Sequence, residues 1–149
     1  MNKQNRIKDY TTSISAVASI MDIEKMLSAF NADMILKNYN GGKVEAIMFK
    51  YHTMGYKLPA NVEKAYTILK EENLLKGTPE QKKAQAERVA WRNIRDWLDA
   101  QIAMIRIGQA EIEQVMLPYA YDGTHSLYEK IKEQGGLTKY LGSADPKEE

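Results

Sequence analysis

The longest helical pattern in the chain runs from Thr78 to Gly108, and the remaining segments are arranged around it. Trp91, Ile94, Leu98, Ile102 and Ile105 follow one another at steps of three or four, which makes one apolar stripe that Ala90, Trp97 and Met104 widen. Thr78 supplies a capping hydroxyl, Pro79 suits the first helical position, and Gln81 stands where a capping-box partner belongs. Gly108 offers a left-handed residue just past the end. A stripe this wide needs cover on more than one side, so the second half of the helix is expected to be buried.

Upstream, Ser19 reads as the cap of a helix in which Ile20, Ile23, Leu27 and Phe30 recur at helical spacing. The period then changes. Met34 to Tyr39 and Lys43 to Tyr51 read as two strands around Asn40-Gly41-Gly42, because glycines after an asparagine permit the positive φ angles of a tight hairpin. Val44, Ala46 and Met48 alternate with Glu45, Ile47 and Phe49, so both faces of the second strand are expected to be partly covered. Gly55 reads as a turn and Tyr56-Lys57-Leu58 as a third strand, ended by Pro59. Asn61 caps a second helix with Val62, Ala65, Tyr66 and Leu69 inward. Beyond Gly108 come a short helix with Ile112 and Val115 inward, a stop at Pro118, the segment Tyr119-Ala120-Tyr121 and an Asp122-Gly123 turn. A last helix runs from Ser126 to about Gln134.

The order is α-β-β-β-α-α-α-α. It predicts an α+β fold: a small antiparallel three-stranded sheet with helices packed on it, the long central helix among them. One domain is expected over residues 19–141, between a flexible N-terminal segment, 1–18, and a flexible C-terminal tail, 142–149.

Composition narrows the functional classes more than the fold. With 21 basic and 20 acidic residues the net charge is +1, so any nucleic-acid contact has to come from a local patch. The absence of cysteine excludes disulfides and thiolate metal sites and fits a reducing compartment. No secretory signal and no apolar run near the ~18 residues of a membrane span are legible, so a cytoplasmic protein is expected.

Two sets of side chains invite a binding role. Lys37, Tyr39, Lys43, Lys50, Tyr51 and Lys57 interleave cations and aromatics through the strands, beside Phe49, His52 and Tyr56. Bases stack on aromatic rings at about 1–3 kcal/mol each while lysines meet phosphates, so this set suits single-stranded nucleic acid or a nucleoprotein machine. The plainer reading is that strands favour aromatics and that Phe49 and Tyr51 point into the core under the long helix. Arg88, Arg92 and Arg95 form the second set, an arginine face for phosphate or an acidic partner. Its plainer reading is a solvated helix face, with Arg92–Asp96 and Arg95–Asp99 as pairs four residues apart. Leu117 to Tyr121 is a docking site if exposed, although a clasp packed back on Trp91 or Trp97 is the favoured reading. His52 and His125 lack the spacing that converges metal ligands, and no nucleophile elbow, phosphate loop or dinucleotide fingerprint is present. No catalytic residue, metal or cofactor is therefore expected.

Several stretches carry a resemblance: Gly41-Gly42 to Phe49, Lys57-Leu-Pro-Ala-Asn-Val62, Glu87-Arg-Val-Ala-Trp-Arg92, Asp96-Trp97 with Ala100-Gln101, Val115-Met-Leu-Pro-Tyr119, and Leu127-Tyr128-Glu129. In this order, over roughly residues 19–134, the chain resembles a family of small uncharacterised phage and prophage proteins. The resemblance implies a viral or prophage origin, the cytoplasm of a host cell and a shared fold, and it brings no catalytic residues. The first expectation is a non-enzymatic phage-type accessory protein that binds nucleic acid or a nucleoprotein complex. Its alternatives are a protein-binding inhibitor of a host antiviral defence system, of the anti-CRISPR kind, and an oligomeric sponge for a nucleotide messenger.

Overall fold

The computed structural model describes residues 6–144, and the outermost parts of both expected flexible ends, 1–5 and 145–149, lie outside the described residues. Helix α1, Ala16–Ala29, leads into strands β1, Met34–Asn40, β2, Lys43–Tyr51, and β3, Met54–Pro59. Helices α2, Val62–Glu71, and α3, Pro79–Arg106, follow, and then α4, Ile112–Met116, which runs into a 3₁₀ turn, Leu117–Tyr119. The short helices α5, Leu127–Glu133, and α6, Thr138–Leu141, complete the chain. The strands form one antiparallel sheet in the order β1-β2-β3, so the fold is the expected α+β arrangement, with α3 as its long helix.

Local chemistry explains most of the boundaries. Thr78 and Gln81 form the reciprocal capping box that starts α3, with Pro79 at the first turn. The first hairpin closes through Gly41 and Gly42, at φ of 59° and 81°, a left-handed pair that glycine adopts without strain. Two boundaries differ from expectation. Ser19 is not a cap: it lies fully buried inside α1, and Ser15 caps instead, its Oγ accepting the Ala18 amide at 3.1 Å. Gly55 is not in a turn but inside β3, where it pairs with Lys50, and His52 takes the left-handed position at φ 55°. A Cβ on Gly55 would meet the Tyr121 carbonyl oxygen at 3.3 Å, so this glycine serves a close backbone approach.

One face of the sheet is the core. Ile47, Phe49, Tyr56 and Leu58 pack against Ile20, Ile23 and Leu27 of α1 and Trp91 and Leu98 of α3. Phe49 and Tyr56, paired across the strands, stack with ring centroids 5.3 Å apart. Burying Trp91 completely stabilises the fold by several kcal/mol, on the order of the 3–5 that truncating such a ring costs. The first half of α3 serves a second, smaller core, where Ala86 and Val89 meet Leu69 of α2 and Leu75. With 28 residues, roughly 42 Å, α3 is long enough to join both.

The stretch before α1 lies along α3. Gln85 donates from Nε2 to the carbonyls of Tyr10 and Thr12, both at 3.0 Å, and Asn93 donates to that of Lys8 at 2.7 Å. Ile7 and Tyr10 pack on the smaller core. Two side-chain amides thus satisfy three carbonyls of a segment that has no ladder or helix of its own.

Leu117 to Tyr121 behaves as the clasp. Tyr119 meets Trp97 edge to face at 5.6 Å, and the Tyr121 amide donates to the Gly55 carbonyl at 2.8 Å. The outer edge of β3 is therefore occupied by this segment, whereas β1 forms the other edge of the sheet.

Candidate binding surface

The structure disperses the nine residues singled out from the sequence into three places. On the helix side of the sheet, Lys37 forms an ion pair with Glu24 of α1 at 2.8 Å, and Lys43 with Glu87 of α3 at 3.2 Å. The hydrogen bond to Glu24 raises the Lys37 pKa, which keeps the pair charged. Tyr51 packs at the margin of the main core, and Tyr39, 59% exposed, stands beside the turn that closes the first hairpin. Phe49 is core, as the plainer reading of the aromatics had it.

The arginines form the second place. Arg88 donates from Nε to Gln85 at 2.9 Å. Arg92 and Arg95 both reach Asp22 of α1, at 3.8 and 3.4 Å, and make the expected pairs with Asp96 and Asp99 at 3.5 and 3.4 Å. Lys8 also contacts Asp96, at 2.9 Å, beside Asp9. Burial works to raise the Asp96 pKa, but hydrogen bonds from Asp9, Lys8 and Arg95 outweigh it and hold the value at about 2. Asp9 shifts upward, through burial first and then through its closeness to Asp96. Three cations against four carboxylates leave this network no positive excess, and its geometry ties the N-terminal segment, α1 and α3 together.

The third place is the outer face of the sheet, away from α1 and α3. Cross-strand pairing sets Leu36, Met48 and Lys57 side by side, and Met34, Lys50 and Gly55 next to them. Thr53, Met54 and the Tyr121–Gly123 loop raise one wall, which leaves a concavity of about 480 Å³. Met34 is 47% exposed and Leu36 50%, so the apolar floor is open to solvent. The Lys57 ammonium lies 5.0 Å from the centroid of the Tyr121 ring. Among the described residues, neither Lys50 nor Lys57 has a carboxylate within ion-pair distance, unlike Lys37 and Lys43.

Met34, Leu36, Met48 and Met54 are neither basic nor aromatic, so they do not stand out among the candidate binding residues. Their signal was the alternation itself: apolar residues at both parities in β2 mean either two covered faces or one exposed apolar face. A wider basin of about 850 Å³ opens at the other end of the sheet, between the first hairpin, α2 and α3. Its charges alternate in sign, with Lys43 already held by Glu87, Lys83 nearby, and Glu45 and Glu63 around them.

The two histidines stand at the surface, His52 4.0 Å from Glu113 and His125 3.9 Å from Glu133. Among the described residues, no group of three or more potential ligands is arranged to hold a metal ion, and no helix is long and apolar enough to cross a membrane. Asp122 accepts the amides of His125 and Thr124 and pairs with Lys130, which depresses its pKa and locks the loop that walls the outer concavity. Comparison with family models, curated proteins and solved structures yields no match.

Proposed function

We propose that this chain is a non-enzymatic accessory protein of phage type that acts in the host cytoplasm by docking a partner protein on the outer face of its sheet. The observation that carries this reading is the open apolar floor of Met34 and Leu36, walled by Met54 and flanked by Lys50 and Lys57, which among the described residues have no carboxylate partner. An apolar surface rimmed by unmatched charge suits a protein interface. Such a partner is the target expected of an inhibitor of a host defence system.

Single-stranded nucleic acid is the competing occupant, since Lys57 over Tyr121 pairs a cation with an aromatic ring. It is the weaker reading for a physical reason. Lys37, Lys43, Arg92 and Arg95 are engaged by carboxylates, which leaves little positive surface for a phosphate backbone. The same engagement weakens the messenger-sponge reading, which needs arginines free to clamp phosphate.

The test is capture by tagged protein from infected host lysate, with and without nuclease, in parallel with Leu36→Glu. A single protein retained after nuclease and lost from Leu36→Glu is the expected result. Partners that disappear with nuclease would replace this reading with the nucleic-acid one, and a partner held equally by Leu36→Glu would move the site elsewhere.

A further inference from the structure

We infer that the outer concavity takes an amphipathic helix whose apolar stripe is flanked by carboxylates; this rests on the docking reading above and specifies the partner's chemistry. Three features of the surface converge on it. Shape comes first. Three strands at about 4.8 Å spacing give a floor comparable to the 10–12 Å diameter of one helix. The antiparallel sheet has helices on one face only, so its other face is free to seat a helix layer. The wall of Tyr121 and its neighbours at the β3 side bounds such a helix laterally, and the β1 side is open.

Addition of a strand to the β1 edge is the obvious rival, and the edge is built against it. The register between β1 and β2 shifts between Asn38 and Tyr39, where Glu45 of β2 is the extra residue, and a bulge of this kind increases the local twist that β1 follows. Lys37, in the middle of β1, is drawn to the helix side by Glu24. A strand added there would meet a twisted edge whose central lysine is engaged by α1, whereas the face itself needs no backbone pairing from its guest.

Charge and composition supply the rest. On the helix side each of the two lysines of the sheet has its own glutamate, from α1 or from α3. The outer face repeats the lysines, Lys50 and Lys57, but among the described residues no carboxylate answers them. A helix seated there would do what α1 and α3 do on the other side, bringing apolar residues to the floor and acidic residues to the lysines. Met34 and Met48 on the floor and Met54 on the wall, three of the eight methionines in the chain, give the concavity side chains that adjust to the shape of an inserted residue.

The experiment is a selection from a displayed library of helix-forming peptides, with wild-type protein as bait and Leu36→Glu as counter-bait. Circular dichroism first establishes that Leu36→Glu folds, and Met34→Glu serves as a second counter-bait. The expected winners carry apolar residues at i, i+3 or i+4 and i+7 with Asp or Glu beside the stripe. Their affinity should fall about tenfold or more with Leu36→Glu or Met34→Glu, as for loss of a central apolar contact. It should fall about two- to fivefold with Lys50→Ala or Lys57→Ala, and less at high salt. Winners with basic or neutral flanks, or winners that bind as extended strands, would overturn the inference while the docking reading stands. A selection in which no peptide distinguishes wild type from both counter-baits would overturn the docking reading with it.

Discussion

The two faces of the sheet are made from the same three strands by alternate residues, yet they have opposite characters. On the helix side Ile47, Phe49, Tyr56 and Leu58 are buried, and the lysines that fall there are neutralised by Glu24 and Glu87. On the outer side Met34 and Leu36 remain about half exposed, and among the described residues no carboxylate lies within ion-pair distance of Lys50 or Lys57. The first face is a finished interior, stabilised by burial. The second has the ingredients of an interior without its second layer. Aromatic and basic residues that look like one set along the sequence are divided between these faces, so their adjacency in the chain says little about a shared site.

The largest expected effects lie on the finished face. Trp91→Ala or Phe49→Ala should lower unfolding stability by about 3–5 kcal/mol, read from urea denaturation. A loss below about 1 kcal/mol for either would mean that the helix layer does not hold the sheet as described.

Next comes the network that holds α1, α3 and the N-terminal segment together. Asp96→Asn should cost about 1–2 kcal/mol at pH 7, discounted for the exposure of Lys8. The Asp96 carboxyl has a folded pKa of about 2, below the ordinary 3.8. Its contribution is therefore complete above about 3.8 and lost as pH falls through about 2, so wild type and variant should converge in acid. The raised pKa of Asp9 acts in the opposite sense, with its contribution present below 3.8 and lost as pH rises through the shifted value. Asp9→Asn should for that reason be less harmful at pH 7 than Asp96→Asn. The reverse ranking in thermal melts at pH 7 would break the assignment of roles.

Gly55→Ala probes the wall of the outer concavity. The added methyl must push the Tyr121 carbonyl from 3.3 Å, and a cost of about 1 kcal/mol is expected, with hydrogen exchange at the Tyr121 amide speeding up. Unchanged exchange would show that the clasp does not depend on this approach. The smallest effect sharpens the comparison most. Leu36→Glu and Lys50→Ala should change stability by less than about 0.5 kcal/mol, because both side chains face solvent. A loss for Leu36→Glu as large as that for Phe49→Ala would make the outer face structural and remove it as a docking surface.

Much of the fold was legible in the chain because its signals are local. The capping box of Thr78 and Gln81, the glycine pair of the first hairpin and the stripe of Trp91 to Ile105 each act within a few residues. The exceptions were local signals with two readings. Ser19 has the chemistry of a cap, but Ser15 stands at the turn where α1 begins, and Ser19 is carried into the interior. Gly55 has the freedom for a turn, but its small size is used for the approach of Tyr121. Between Gly136 and Gly142 the sequence carries no element signal, yet Thr138–Leu141 forms a turn of helix after the Gly135-Gly136 pair.

The candidate surface was only half legible. Lys50 and Lys57 stood out as cations, while Met34, Leu36 and Met48 looked like ordinary strand residues. By itself, the sequence determined the elements, their order, and the alternation that gives the sheet two apolar-bearing faces, because propensity, capping and turn chemistry act over short distances. Only the tertiary structure decided which face the helices cover and which lysines find glutamates. Those choices depend on where α1 and α3 dock, and burial and ion pairing between distant segments have no signature at any one position of the chain.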